Sequence, residues 1–370
     1  MQIVALDVRG CKVPERFASV TSLASGSTGN MQCLVYTVHT DDGRSASCFG
    51  FGGKSVRGAG VLAADVLRPF LVGRNVHERE ALWHDRRKAD RWWDLLPVYS
   101  WGPVDCCLWL LSAQAAGLPL YRYLGAARRD VPVYASSLLL PDAAAYAAEA
   151  LEVKRAGLRG YKLHPPCRSV EEDIEIHEAV RQAVGDDFAL MSDPVEPSYG
   201  FEGALRLGRA LEELGYLWLE EPVPDEAVGA LAELTRILDI PVIGGEILAK
   251  HPYSLADYAA RRVVDGLRAD VSWSGGITGA LKTAHLAEAF HMPCEFHTTI
   301  FHPLEIVNLH LCGAVRGCGW LEVLWPMQQF SFGLKGDLPI RDGIATMPEL
   351  PGMGMDLDWD AIDDATFEVF

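Results

Sequence analysis

The chain has 370 residues, 49 % of them hydrophobic, and a formal net charge of -17, which gives room for one large barrel or for two domains. This acidity excludes a nucleic-acid or anionic-membrane surface, because either needs a basic stripe, and the apolar content excludes a disordered chain. Nine cysteines, an odd number with no C-x-x-C, exclude a disulfide framework and a zinc knuckle; buried thiols in a reducing cytoplasm are expected.

Residues 1–125 open with "MQIVALDVRGCKV" and "MQCLVYTVHTDDGRSASCFGFGG", which read as an antiparallel meander. The helical stretches "SVRGAGVLAADVLRPFLVG" and "PVDCCLWLLSAQAAGLPLYRYLG" follow, so this part forms an α+β domain of its own. No stretch reaches the ~20 apolar residues of a membrane span.

From residue 131 a period takes over. Short apolar runs begin at 131, 160, 188, 216, 240, 266, 292 and 320, between 24 and 29 residues apart. Between them lie segments such as "SVEEDIEIHEAVRQAVG" and "FEGALRLGRALEELG", with apolar residues at helical spacing, a polar or glycine start and a glycine stop. Strands too apolar to be half exposed, alternating with helices, predict a parallel sheet covered on its outer face, and eight such units close a barrel. The expected architecture is α/β: a (β/α) barrel over 126–326, capped by 1–125, with the acidic segment 327–370 packing back on the cap.

Barrels of this kind carry their chemistry at the C-terminal ends of the strands. Read in order, those ends offer Lys162 and His164, Asp193, Glu220, Glu246, Asp270, His297 and Glu322. Buried strand ends are an expensive place for unpaired charge. Asp193, Glu220 and Glu246 on three successive strands would repel one another unless a cation stood between them, and an all-oxygen set suits Mg2+. Asp270 can accept the Nδ1 hydrogen of His297 and leave Nε2 as a general base. Lys162 and His164 alternate with Leu163 and therefore point together into the barrel. A divalent ion flanked by two bases suits removal of the α-proton of a carboxylate, whose enediolate product needs cationic neighbours.

Several motifs in this order and spacing resemble the mandelate racemase subgroup of the enolase superfamily: "KLH" (162–164), "SDPVEPSYG" (192–200), "WLEEP" (218–222), "GGE" (244–246), "RADVSWSGGITG" (268–279), "EFHTTIFHPLEIVNLHL" (295–311) and "LEVL" (321–324). The resemblance implies a modified TIM barrel with an N-terminal capping domain. It also implies Mg2+ on Asp193, Glu220 and Glu246, a His297–Asp270 dyad, and Glu322 hydrogen-bonding the substrate carboxylate. His164 stands where such proteins usually have a second lysine, and Val195 where many acid-sugar dehydratases carry a polar residue. The sixth strand lacks the lysine of the muconate-lactonizing type. Two loops of the first domain, near 15–32 and 49–60, are expected to set specificity, with Lys54 and Arg57 as substrate-binding positive charges.

The activity implied is dehydration of a sugar acid to a 2-keto-3-deoxy acid. A racemase, epimerase or lactone cycloisomerase using the same enolate is the alternative, and a catalytically silent anion-binding barrel is the alternative of another class. The partners expected are a small carboxylate substrate and further copies of the chain, as a dimer or octamer, with neither nucleic acid nor membrane.

Overall fold

The computed structural model describes all residues except 18, 22–27, 54, 93–95, 195–198 and 247–251. The chain begins with β1 (Ile3–Lys12), the short hairpin β2 (Ser19–Thr21) and β3 (Thr28–Asn30), then β4 (Gln32–Thr40) and β5 (Ser45–Gly53). Alternating burial along β1 marks a sheet with one covered face. The helix Val98–Ala115 packs against β4 and β5, and the helix Arg79–Arg91 packs on that helix.

Eight parallel strands follow: β6 (Asp130–Ser136), β7 (Gly160–Leu163), β8 (Ala189–Ser192), β9 (Leu219–Glu220), β10 (Val242–Gly244), β11 (Gly266–Ala269), β12 (Cys294–Phe296) and β13 (Leu321–Leu324). They pair in chain order from β6 to β12, and β13 pairs with β6. These are the eight periodic runs of the sequence, and β7 and β11 are buried at every residue, as parallel strands between helices and barrel interior must be. Local chemistry sets the boundaries. Ser169 caps the helix Val170–Val184 by accepting from Glu172 N–H, three acids occupy its first turn, and Gly185 ends it at φ 77°. After β7, Pro165 and Pro166 offer no N–H to a ladder and stop the strand.

Side chains stitch the remaining seam, between β12 and β13. Glu295 accepts from the backbone N–H of Gly319 at 2.8 Å and of Trp320 at 3.1 Å, and Glu322 accepts from Thr298 N–H at 3.1 Å. Together they close a modified TIM barrel. Inside it, Tyr134, Met191, Trp218 and Ile243 form a small apolar cluster of their own.

The last strands fold back on both parts. β14 (Ile340–Arg341) and β15 (Ile344–Thr346) form a hairpin whose β15 runs antiparallel to β6, and β16 (Thr366–Val369) joins the edge of the capping sheet beside β1. No disulfide joins the nine cysteines, all of which are buried. Among the described residues no helix is long and apolar enough to cross a membrane.

Cap and barrel meet where the helix Val98–Ala115 crosses the turn after β11. Asp105 accepts from Thr278 N–H and Thr278 Oγ1, each at 2.7 Å. Gly102 passes so close that a Cβ there would lie 2.4 Å from the Ser272 carbonyl and 2.7 Å from that of Val271. Neither backbone oxygen can swing away as a side-chain tip could. Gly102→Ala is therefore expected to cost about 1–3 kcal/mol through overpacking and to lower the melting temperature, measured by circular dichroism; an unchanged melt would contradict this close packing.

Candidate active site

At the mouth of the barrel, four of the eight strands contribute one charged side chain each to a single layer. Lys162 comes from β7, Glu220 from β9, Arg268 from β11 and Glu322 from β13, the alternate-strand rule for barrel interiors. Their signs alternate and their contacts close a ring: Lys162–Glu220 at 3.2 Å, Glu220–Arg268 at 2.8 Å, Arg268–Glu322 at 2.8 Å and Glu322–Lys162 at 2.9 Å. All four are buried. Burial opposes the charge on Lys162, yet Asp193, Glu220 and Glu322 outweigh it and hold the ammonium firmly protonated.

Asp193 and Glu246 follow β8 and β10. Asp193 Oδ2 lies 2.8 Å from Lys162 Nζ, and Glu246 Oε2 accepts from Arg268 Nε at 2.9 Å. Among the described residues no three histidine, cysteine or carboxylate groups form a ready-made ion cage. Lys162 and Arg268 stand between the three acids and compensate part of their charge. Their charge falls short of what the acids need, however. Burial, together with repulsion from Asp193 and Glu246, pushes Glu220 up to about 8 despite Arg268 and Lys162. The single hydrogen on Arg268 Nε is given to Glu246, which leaves the buried Glu220 Oε1 without a hydrogen-bond partner. A hard-oxygen donor set with an orphaned, undercompensated carboxylate fits a small divalent cation.

His297, just after β12, binds Asp270 Oδ2 through Nδ1 at 2.8 Å, and its Nε2 lies 3.4 Å from Glu246 Oε1. Asp270 is fixed in turn by the N–H groups of Ser272 and Trp273 on Oδ1. Trp273 stacks on the imidazole with ring centroids 4.8 Å apart. Burial disfavours the imidazolium, but Glu246 and Asp270 override it and push His297 up to about 10.

His164 is held differently. Its Nδ1 lies 2.6 Å from the Ser137 carbonyl, its own N–H donates to Ser137 Oγ at 2.9 Å, and its Nε2 lies 3.1 Å from Asp193 Oδ2. A carbonyl only accepts, so Nδ1 carries a hydrogen, while Nε2 is the ring nitrogen that faces the Asp193 carboxylate.

The structure therefore gathers Lys162, His164, Asp193, Glu220, Glu246, Asp270, His297 and Glu322 at one end of the barrel. Burial favours the neutral form of Glu322, but Lys162 and Arg268 hold it well below the usual carboxylate range. Arg57 does not join the site: it is 68 % exposed and pairs with Glu368 on β16 at 3.1 Å, because its position at the start of the helix Arg57–Leu62 sets it beside the C-terminal strand. Lys54 and Val195 lie outside the described residues.

Sequence reading missed Arg268, although parity pointed to it: two residues before Asp270 on one strand, it faces the same interior. It also missed Glu221, whose Oε1 accepts from Gly245 N–H at 2.9 Å and Glu246 N–H at 3.2 Å and so fixes the backbone that carries Glu246. Nothing in the local pattern pointed to that contact.

A capped (β/α) barrel with acids on three successive strand ends and a His–Asp pair beyond them defines an enzyme of the enolase type. The model of the family described as "Enolase C-terminal domain-like" matches residues 145–361, and the chain belongs to this family, within the enolase superfamily. It is similar to D-glucarate dehydratase from Agrobacterium tumefaciens, solved in complex with magnesium, at 32 % identity and TM-score 0.86 over 100 % of both chains. It is also similar to arabinonate dehydratase of Saccharolobus solfataricus, 28 % identical over 92 % of this chain and 91 % of that protein. A third relative, the 3,6-anhydro-alpha-L-galactonate cycloisomerase of Streptomyces coelicolor, is 29 % identical over 92 % of this chain and 94 % of that protein.

Because Asp270 and Glu246 together raise His297, the charged ring is favoured on folding. That contribution is full below the ordinary imidazole value of about 6.5 and is lost as pH rises through about 10. Asp270→Asn keeps a hydrogen-bond acceptor and removes one negative charge. In an NMR titration of the ring carbons the His297 midpoint is expected to fall from about 10 toward the ordinary imidazole range; an unmoved midpoint would show that Asp270 does not hold the ring electrostatically.

Proposed function

We propose that this protein removes the α-proton of a carboxylate substrate with the help of Mg2+, and that its reaction is dehydration of a sugar acid to a 2-keto-3-deoxy acid by way of an enediolate. The observation that carries this reading is the placement of two imidazoles, His297 held by Asp270 and His164 held by Ser137, on either flank of Asp193, Glu220 and Glu246. The barrel strands β8 to β11 separate them on one side, and β13 and β6 on the other. The D-glucarate dehydratase solved with magnesium and the arabinonate dehydratase support the choice of ion and of substrate class.

Asp193, Glu220 and Glu246 would hold the ion, which supplies positive charge to make a substrate carboxylate an electron sink. Lys162 adds a second positive charge next to it. When the charge on Glu246 is compensated, the main attraction holding the proton on His297 is lost, and Nε2 becomes available to accept one. One histidine Nε2 takes the α-proton. The other returns a proton to the β-hydroxyl, whose C–O bond breaks to release water, and the resulting enol ketonises. The Asp270 carboxylate and the Ser137 carbonyl keep each ring in the tautomer this exchange requires.

The decisive measurement is a screen of acid sugars with Mg2+, scored for keto-acid formation. Turnover of at least one is expected. Failure of every sugar acid, or α-deuterium exchange in D2O without loss of water, would replace the dehydratase reading with the silent barrel or the isomerase. On the substrate found, His297→Asn is expected to lower kcat by about 10²–10⁴-fold, the usual contribution of a positioned acid or base. His164→Ala is expected to do the same, and full activity of that variant would make His164 a bystander. Asp193→Asn is expected to abolish both Mg2+ uptake and turnover.

A further inference from the structure

Arg268 sends its fork to three carboxylates at once: Nε to Glu246 Oε2 at 2.9 Å and near Glu220 Oε1 at 2.8 Å, and Nη2 to Glu322 Oε2 at 2.8 Å. Nη1 lies 3.4 Å from the Tyr134 hydroxyl below. It is wholly buried and, as a guanidinium, charged throughout the physiological range. With the acids ionised, as ion binding requires, Asp193, Glu220, Glu246 and Glu322 bring four negative charges and Lys162 and Arg268 two positive ones. The ring itself is then neutral, and the excess of two lies on Asp193 and Glu246. His297 pairs with Asp270 at 2.8 Å and also reaches Glu246 Oε1 at 3.4 Å, and the imidazolium and the Asp270 carboxylate cancel each other, so the two together leave this count unchanged. Without Arg268 the excess would be three.

We propose that Arg268 is a positioning residue that sets the net charge of the ion site at minus two, matching one divalent cation. It thereby keeps the acid cluster folded when no ion is bound and limits how tightly an ion is held. The proposal rests on the reading of Asp193, Glu220 and Glu246 as ion ligands. Its physical content is that the charge of Arg268, rather than its shape, acts on the site. A fixed positive charge in contact with two of the ligands repels an incoming cation strongly in a dry interior. Removing it exposes three acids to one another in the ion-free protein.

The test is Mg2+ titration by calorimetry, with thermal melts in EDTA and in excess Mg2+, on the full chain and its Arg268→Gln and Arg268→Lys variants. Arg268→Gln is expected to bind Mg2+ about tenfold or more tightly than the parent. It should also melt lower in EDTA and gain more from added Mg2+. Arg268→Lys, which keeps the charge and changes the shape, is expected to stay close to the parent in both measurements. Equal or weaker Mg2+ binding by Arg268→Gln, or equal changes in the two variants, would overturn the proposal. Should Arg268→Gln not fold, Glu322→Gln removes one negative charge with Arg268 in place and is expected to weaken Mg2+ binding by about tenfold; unchanged or tighter binding would equally overturn it. Asp193→Asn separates the two levels. If the parent binds no Mg2+ through Asp193, the ion-ligand reading fails, whereas an Asp193-dependent site indifferent to Arg268 leaves that reading standing and removes only the charge-setting role.

Discussion

Burying Lys162, Glu220, Arg268 and Glu322 in one layer of a barrel strips each of water, at a cost of several kcal/mol per ion that only close opposite charge can offset. The alternation of sign around the ring supplies that contact, and much of the neighbouring structure serves to maintain it. Each member sits on a different strand, so the parallel register of β7, β9, β11 and β13 must hold for the ring to close. Glu322 also accepts from Thr298 N–H, which ties the ring to the seam between β12 and β13. Beneath it, the Tyr134, Met191, Trp218 and Ile243 cluster gives the layer a dry floor.

That ring explains why the site above it can be chemically specific. Lys162 is committed to three carboxylates, whose charge favours its protonated form. Each imidazole is oriented by a partner of its own, a carboxylate for His297 and a backbone carbonyl for His164. Asp193 and Glu246 touch both the ring and a histidine, and any cation they hold changes the proton affinity of its neighbours.

Much of this was legible in the chain. The 24–29 residue period located all eight strands, and the charged or titratable residues that end seven of them pointed to the mouth, because ending a buried parallel strand on a charge is costly. The roles were harder to read. Arg268 went unnoticed inside "RADVS" although its parity matched Asp270, since a strand-end reading stops at the last charged residue and ignores the one below it. Arg57 looked like a substrate contact because it brings positive charge to the loop 49–60 of an acidic protein, yet the strand that it meets lies more than three hundred residues away in the chain.

The sequence by itself determined the number and order of the strands, the caps and stops of the helices between them, and the set of acids and histidines carried at the mouth. These follow from period, parity and local backbone chemistry, all of which act over a few residues. Only the tertiary structure decided which charges meet. That Lys162 and Arg268 neutralise Glu220 and Glu322, that Glu221 fixes the backbone of Glu246, and that Ser137 orients His164 depend on contacts between distant segments. The energy of such contacts varies with fractions of an ångström and with the loss of water around them, and neither quantity is encoded in residue order alone.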